Sequence, residues 1–125
     1  MRKAIHTDDA PAAIGPYSQA IEAGGWLWCS GQIALKQGQI VGTTAAEQAA
    51  VVLDNLTAVL AAGGATFDQV VRCTIFLKSM DDFAAVNEVY GARMPSPPPA
   101  RAAVEVARLP KDVLVEIDAV AYVGG

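Results

Sequence analysis

The stretch ARAAVEVARLPKDVLVEIDAVAYV, residues 100–123, is where the fold of this 125-residue chain is decided. Two runs of small and β-branched residues flank Pro110-Lys111-Asp112, which reads as a turn. Both runs alternate with period two, predicting strands over about Ala102–Ala107 and Leu114–Val123. Two such strands around a turn predict an antiparallel hairpin. If Ala102, Val104 and Val106 share a face with Val115, Ile117 and Ala119, that face is apolar throughout and can take helices. The opposite face then collects Arg101, Ala103, Glu105, Leu114, Glu116 and Asp118. Slipping by one residue would put the acids among the valines, so Arg101 is expected on the helix-free face together with Glu116 or Asp118.

Immediately upstream, PSPPPAR stiffens the chain and delivers Arg101 with little local freedom. Residues two apart on a strand are separated by roughly 7 Å, so arginine and carboxylate could pair directly or bracket a small ligand. A guanidinium suits bidentate capture of a carboxylate, and a nearby glutamate suits a general base or a water-orienting group. A plain ion pair at a subunit interface accounts for the same residues.

The segment GTTAAEQAAVVLDNLTAVLAAGG, residues 42–64, predicts an amphipathic helix whose stripe is Ala49, Val52, Leu53, Leu56, Val59 and Leu60. Thr44 and Glu47 form a capping box at its start, and Gly63-Gly64 a left-handed stop. A second helix is expected to begin at Ser79 and to bury Phe83, Val86 and Tyr90. Further strands are expected over Ser18–Glu22, Trp26–Ser30 and Val70–Leu77, with a short one near Lys3–His6. The whole describes one α+β domain over residues 1–125, a mixed sheet with two helices on one face. In Val70–Lys78, Val71, Cys73, Ile75 and Leu77 are expected on one face, with Val70, Arg72, Thr74 and Phe76 on the other. Strands apolar on both sides leave a second sheet face that a partner subunit is expected to cover. Trp26 and Trp28 belong to that face.

Composition bounds the partners. The net charge is −4 with no basic run, which disfavours binding through the nucleic-acid backbone. No apolar run approaches roughly 20 residues and the N-terminal MRKAIHTDDAP lacks a signal peptide's apolar segment, so a soluble, cytoplasmic protein without membrane contact is expected. Cys29 and Cys73 have no metal-ligand spacing and are expected as buried reduced thiols. His6, the single histidine, is expected to be exposed and uninvolved. Ser30 is expected as a strand-end serine because no GxSxG or triad accompanies it. Tyr17, after Pro16, reads as a core tyrosine, and Asn87 as a buried hydrogen-bonding group on the second helix.

The segments AAIGPYSQA (12–20), CSGQIAL (29–35), LDNL (53–56) and PARAAVEVARLPKDVLVEIDAVA (99–121), in this order, resemble the RidA/YjgF family over nearly the whole chain. That resemblance implies a chorismate-mutase-like α+β fold assembled as a homotrimer with ligand clefts between subunits. It implies hydrolysis of reactive enamines and imines, released by pyridoxal-phosphate enzymes, to 2-keto acids and ammonia, with 2-iminobutanoate and 2-iminopropanoate as substrates. By the same resemblance Arg101 is the clamp for the carboxylate, Glu116 positions or activates water, and Tyr17, Ser30 and Gly31 line the cleft. Position 103, where the family commonly has cysteine and this chain has alanine, could bind the imino group through its backbone. Asn87 joins the expected substrate-binding residues. The RMPSPPPA loop is short and proline-rich beside typical members. The chemistry needs no metal or organic cofactor, because a protonated imine is already electrophilic. The alternatives are a non-catalytic trimer that binds 2-keto acids and, less favoured in so acidic a chain, a ribonuclease or translation inhibitor.

Overall fold

A computed structural model describes residues 1–124. Six strands form one sheet: β1 (Arg2–Ile5), β2 (Ala20–Ala23), β3 (Trp26–Gln32), β6 (Val70–Leu77), β7 (Ala100–Glu105) and β8 (Val115–Tyr122), in the spatial order β1-β2-β3-β8-β6-β7. All neighbours are antiparallel except β6 and β7, so the sheet is mixed. A separate two-stranded hairpin, β4 (Leu35–Lys36) and β5 (Gln39–Ile40), lies outside the strands expected from sequence. Its turn residues Gln37 and Gly38 both have positive φ, which brings strands together over two residues.

Helix α1 (Ala45–Ala62) carries the expected capping box at Thr44 and Glu47, and all six stripe residues are fully buried. Shaving Leu56 to alanine would cost about 2–5 kcal/mol through lost burial and the cavity left behind. Gly64, with φ +82°, supplies the left-handed stop. Gly63 serves a different purpose: an added Cβ would meet Leu27 Cδ2 at 2.5 Å, so the bare backbone lets the helix end approach β3. By length and composition α1 could cross a membrane, contrary to the reading that no stretch approaches a span. Here it covers the sheet, with half of its residues buried and Asn55 donating to the Ile33 and Leu35 carbonyls. Ser79 caps a 3₁₀ turn (Met80–Asp82) that leads into α2 (Phe83–Arg93). Arg93 fastens α2 to α1 through Asp54, at 3.0 Å, and Thr57.

The expected hairpin of the last two strands does not form. β6 lies between them, antiparallel to β8 and parallel to β7. The β6–α2–β7 unit explains the parallel pairing, because a helical crossover returns the chain in its original direction. Residues 106–114 then carry the chain over one strand, and Pro110–Asp112 forms a tight turn in that connection with Lys111 and Asp112 both at positive φ. Face assignment changes with the neighbour. Ile5, Ala20, Cys29, Ala119, Cys73 and Arg101 are register partners in one row across the sheet, and the first five are buried. Arg101 and Ala103 therefore share the helix-covered face, whereas Glu116 aligns with Phe76 and Val104 on the other. An arginine is tolerable there because β7 is an edge strand, where the stem packs and the charged head reaches water. The expected faces of Val70 and Val71 are also exchanged. A register shift between Val70 and Arg72 buries Val70 and leaves Val71 40% exposed.

Candidate functional site

Glu116 stands in the middle of β8 on the helix-free face and lines a cleft of about 490 Å³ with Tyr17, Ser30, Gly31 and Lys111. Opposite it, β3 is irregular between Cys29 and Gln32, both of which are buried. This bulge brings the Gly31 backbone against the carboxyl, where any Cβ would overlap Glu116 Oε2. Glycine at 31 is thus a condition for the position of the acid. Burial raises the Glu116 pKa above its ordinary value, and the like charge of Asp118 adds to the effect. Asp118 accepts a hydrogen bond from Thr74 N at 2.8 Å. No hydrogen bond holds the Glu116 carboxyl among the described residues.

Ser30 lies at the bulge inside β3 rather than at a strand end, and its Oγ donates to the Ser18 carbonyl at 2.6 Å, which fixes the cleft wall. Tyr17 is not a core residue: it is 53% exposed at the cleft, and its hydroxyl accepts from Ile14 N at 3.4 Å. Gln19, which the sequence did not single out, pins the remaining wall. Its amide donates to the Thr7 and Pro11 carbonyls and its Oε1 accepts from Thr7 N, so residues 7–11 are tied to the start of β2. Only its burial, at 3% exposure, distinguishes it, and burial is a tertiary property. A more open groove of about 940 Å³ between residues 7–14 and the β4–β5 hairpin holds neither Glu116 nor Arg101.

Arg101 lies elsewhere. Its Nη1 donates to Asn87 Oδ1 on α2, and its guanidinium carbon sits 5.2 Å from the Tyr90 ring centroid and 5.5 Å from that of Phe83. Asn87 is exposed rather than buried. Ala103 is half-buried two residues along on the same face and packs against the core. The structure thus gathers Tyr17, Ser30, Gly31 and Glu116 in one group and Arg101, Asn87 and Ala103 in another. Within one chain Arg101 and Glu116 occupy opposite faces, so the expected pair on one face is not formed.

Cys29 and Cys73 are buried and reduced, each a register partner of Ala119. Burial pushes the Cys29 thiol up to about 12 and raises Cys73 as well. The buried Tyr90 hydroxyl lies beside Cys73, and burial raises its pKa too. Neither thiol suits nucleophilic chemistry. His6 is on the surface, 3.0 Å from Asp8. No group of three His, Cys, Asp or Glu side chains is arranged to hold a metal ion among the described residues.

A half-buried carboxyl set over a bulge glycine in a small cleft of this mixed α+β sheet is the candidate for a small-molecule site of acid–base character. The chain belongs to the RidA/YjgF family: the family model described as Endoribonuclease L-PSP matches residues 7–123. A RutC family protein of Pyrococcus horikoshii is 50% identical, with 98% of each chain covered. The Escherichia coli 2-iminobutanoate/2-iminopropanoate deaminase is 46% identical over 97% of this chain and 98% of its own. The crystal structure of Escherichia coli TdcF with bound serine superposes with a TM-score of 0.88 at 38% identity, covering 96% of this chain and 98% of that one.

Proposed function

We propose that this protein is an enamine/imine deaminase that hydrolyses 2-imino acids such as 2-iminobutanoate and 2-iminopropanoate to 2-keto acids and ammonia. The observation that carries this reading is the Glu116 carboxyl, half-buried, held over Gly31 and raised in pKa, in a cleft sized for a small metabolite. The deaminase relative and the neighbour with bound serine support a ligand of amino-acid size. Arg101 grips the substrate carboxylate through two N–H groups. Glu116 takes a proton from water as the water oxygen bonds to C2 of the imine. The carbinolamine then collapses: Glu116 returns its proton to the nitrogen, the C2–N bond breaks with ammonia as the leaving group, and the hydroxyl proton passes to the Glu116 carboxylate as C2 becomes a ketone.

Because one chain carries these two residues on opposite faces, the working cleft takes Arg101 from one copy and Glu116 from another. The helix-free face supplies a surface for that assembly, with Trp28 56% and Tyr122 46% exposed. A homotrimer is the assembly the family resemblance implies, acting in the cytoplasm. The net charge of −4 argues against the ribonuclease reading attached to the family's description.

The test uses a pyridoxal-phosphate dehydratase to generate the imine in situ and follows keto-acid and ammonia release. Arg101→Lys loses the planar fork and is expected to be badly impaired. Glu116→Gln is expected to slow turnover roughly 10²- to 10⁴-fold while a stable 2-keto acid still binds. Mixing unfolded Arg101→Ala and Glu116→Gln chains and refolding them together should restore about a quarter of the activity, since random assembly makes some intact clefts. Wild-type deamination by both single variants sinks the reading. Impaired variants with no recovery on mixing sink the shared cleft alone.

A further inference from the structure

One face of α2 holds Arg101 from three directions. Phe83, Asn87 and Tyr90 stand at i, i+4 and i+7, a stripe two turns long. Both ring centroids lie within the roughly 6 Å over which a guanidinium is attracted to an aromatic face. Between them in sequence, Asn87 Oδ1 accepts from Nη1. The guanidinium carries five N–H donors, and Nε and Nη2 make no hydrogen bond among the described residues. At the other end of the side chain, the β7 backbone is fixed by its parallel register with β6, Arg101 standing beside Cys73. Tyr90 is buried with its hydroxyl beside Cys73, so its ring rather than its hydroxyl is what it offers the arginine.

We propose that Phe83, Asn87 and Tyr90 are positioning residues that cradle the Arg101 guanidinium, anchoring Nη1 and leaving the Nε–Nη2 edge to receive a carboxylate. The carboxylate itself rests on the deaminase reading; the cradle does not. Asn87, expected from sequence as a substrate contact, then acts through the arginine. The physical gain is preorganisation. A planar fork ordered before its ligand arrives loses less conformational freedom on binding, and a bidentate bond needs that orientation.

Two measurements on the intact protein separate the cradle from the function. The first is the NMR signal of the Arg101 Nε–H group, assigned by its loss in Arg101→Ala. Ring currents should displace it from the other arginines in the wild type and in Tyr90→Phe, and Phe83→Leu should move it back toward them. An undisplaced wild-type signal, or one indifferent to Phe83→Leu, overturns the cradle. The second is calorimetric affinity for 2-oxobutanoate. Phe83→Leu is expected to weaken it roughly 2- to 30-fold, the range of a cation–π contact. Asn87→Ala, at an exposed position that leaves folding intact, should also weaken it, and Tyr90→Phe should stay close to wild type. In an Arg101→Ala background, Phe83→Leu should add nothing further. An equal loss in both backgrounds overturns the cradle. Undiminished affinity in Arg101→Ala, with the displaced NMR signal intact, overturns the deaminase reading and leaves the cradle standing.

Discussion

The two faces of the sheet share every strand and differ in almost everything else. On β8, Val115, Ile117, Ala119 and Ala121 are fully buried, while the alternating Glu116, Asp118, Val120 and Tyr122 are partly or largely exposed. On β3, Leu27 and Cys29 are buried but Trp26 and Trp28 are 39% and 56% exposed. The helices close the first face with side chains from this chain alone, and that closure stabilises the fold by roughly 1.5–3 kcal/mol per large apolar side chain. In the single chain the second face leaves Trp28 and Tyr122 exposed on the side of the sheet that carries Glu116. Alternate residues of β8 thus serve the core and the open face, although Arg101 of β7 stands on the helix-covered side.

The sharpest way to break this contrast is to place the same charge on each face. Ile117→Asp buries an unpaired carboxylate in the core and should cost at least about 3 kcal/mol, seen as loss of the cooperative thermal transition. Trp28→Asp should keep a native far-ultraviolet circular dichroism spectrum and a cooperative melt, and lower the mass found by analytical ultracentrifugation from that of the proposed trimer. Equal tolerance of both substitutions would show that the faces do not differ in kind.

A smaller effect is expected within the open face. Gly31→Ala places a methyl where Glu116 Oε2 lies, and the Gly31 backbone is not in the left-handed region, so the carboxyl is what must move. Turnover in the dehydratase-coupled assay should fall roughly 10²-fold or more, toward that of Glu116→Gln, in a chain that still folds. Unchanged turnover would detach the bulge from the chemistry.

The smallest effect is on stability against pH. Glu116 has a native pKa raised above the unfolded value, so between those values the native state binds more protons than the unfolded state. Its contribution is therefore fully present below the unfolded pKa and is lost as pH rises through the native one. Urea titrations should find Glu116→Gln gaining on the wild type across that window as pH rises, by on the order of a few tenths of a kcal/mol for a half-exposed group. Under the proposed deaminase reading the rate should run the opposite way, because the general base must be ionised, and its acid limb should lie above the ordinary carboxylate range. A difference independent of pH would mean that the Glu116 site is as well solvated as the unfolded chain.

What the residues determine locally was legible in them. The α1 stripe and its Thr44–Glu47 box follow from helical periodicity and from the unpaired N–H groups of a helix start, both fixed by residues within a few positions. The residues of Val70–Leu77 bound that strand at both ends, and the reduced thiols follow from their apolar runs. Two-residue alternation, however, states only that neighbours point opposite ways; it does not say which strand lies alongside. The Pro110–Asp112 turn allowed β7 beside β8, and only the packing of α2 across the β6–β7 crossover placed β6 between them. That choice carried Arg101 to the helix side, away from Glu116. The bulge at residues 30–31, the Gln19 tether and the exchange of Val70 with Val71 are likewise tertiary decisions, since each depends on the hydrogen-bond register of a partner strand or loop distant in sequence. Residue types and spacing determined which groups could do chemistry. Strand order and register decided which of them meet, because those depend on the collective burial of side chains that no local pattern specifies.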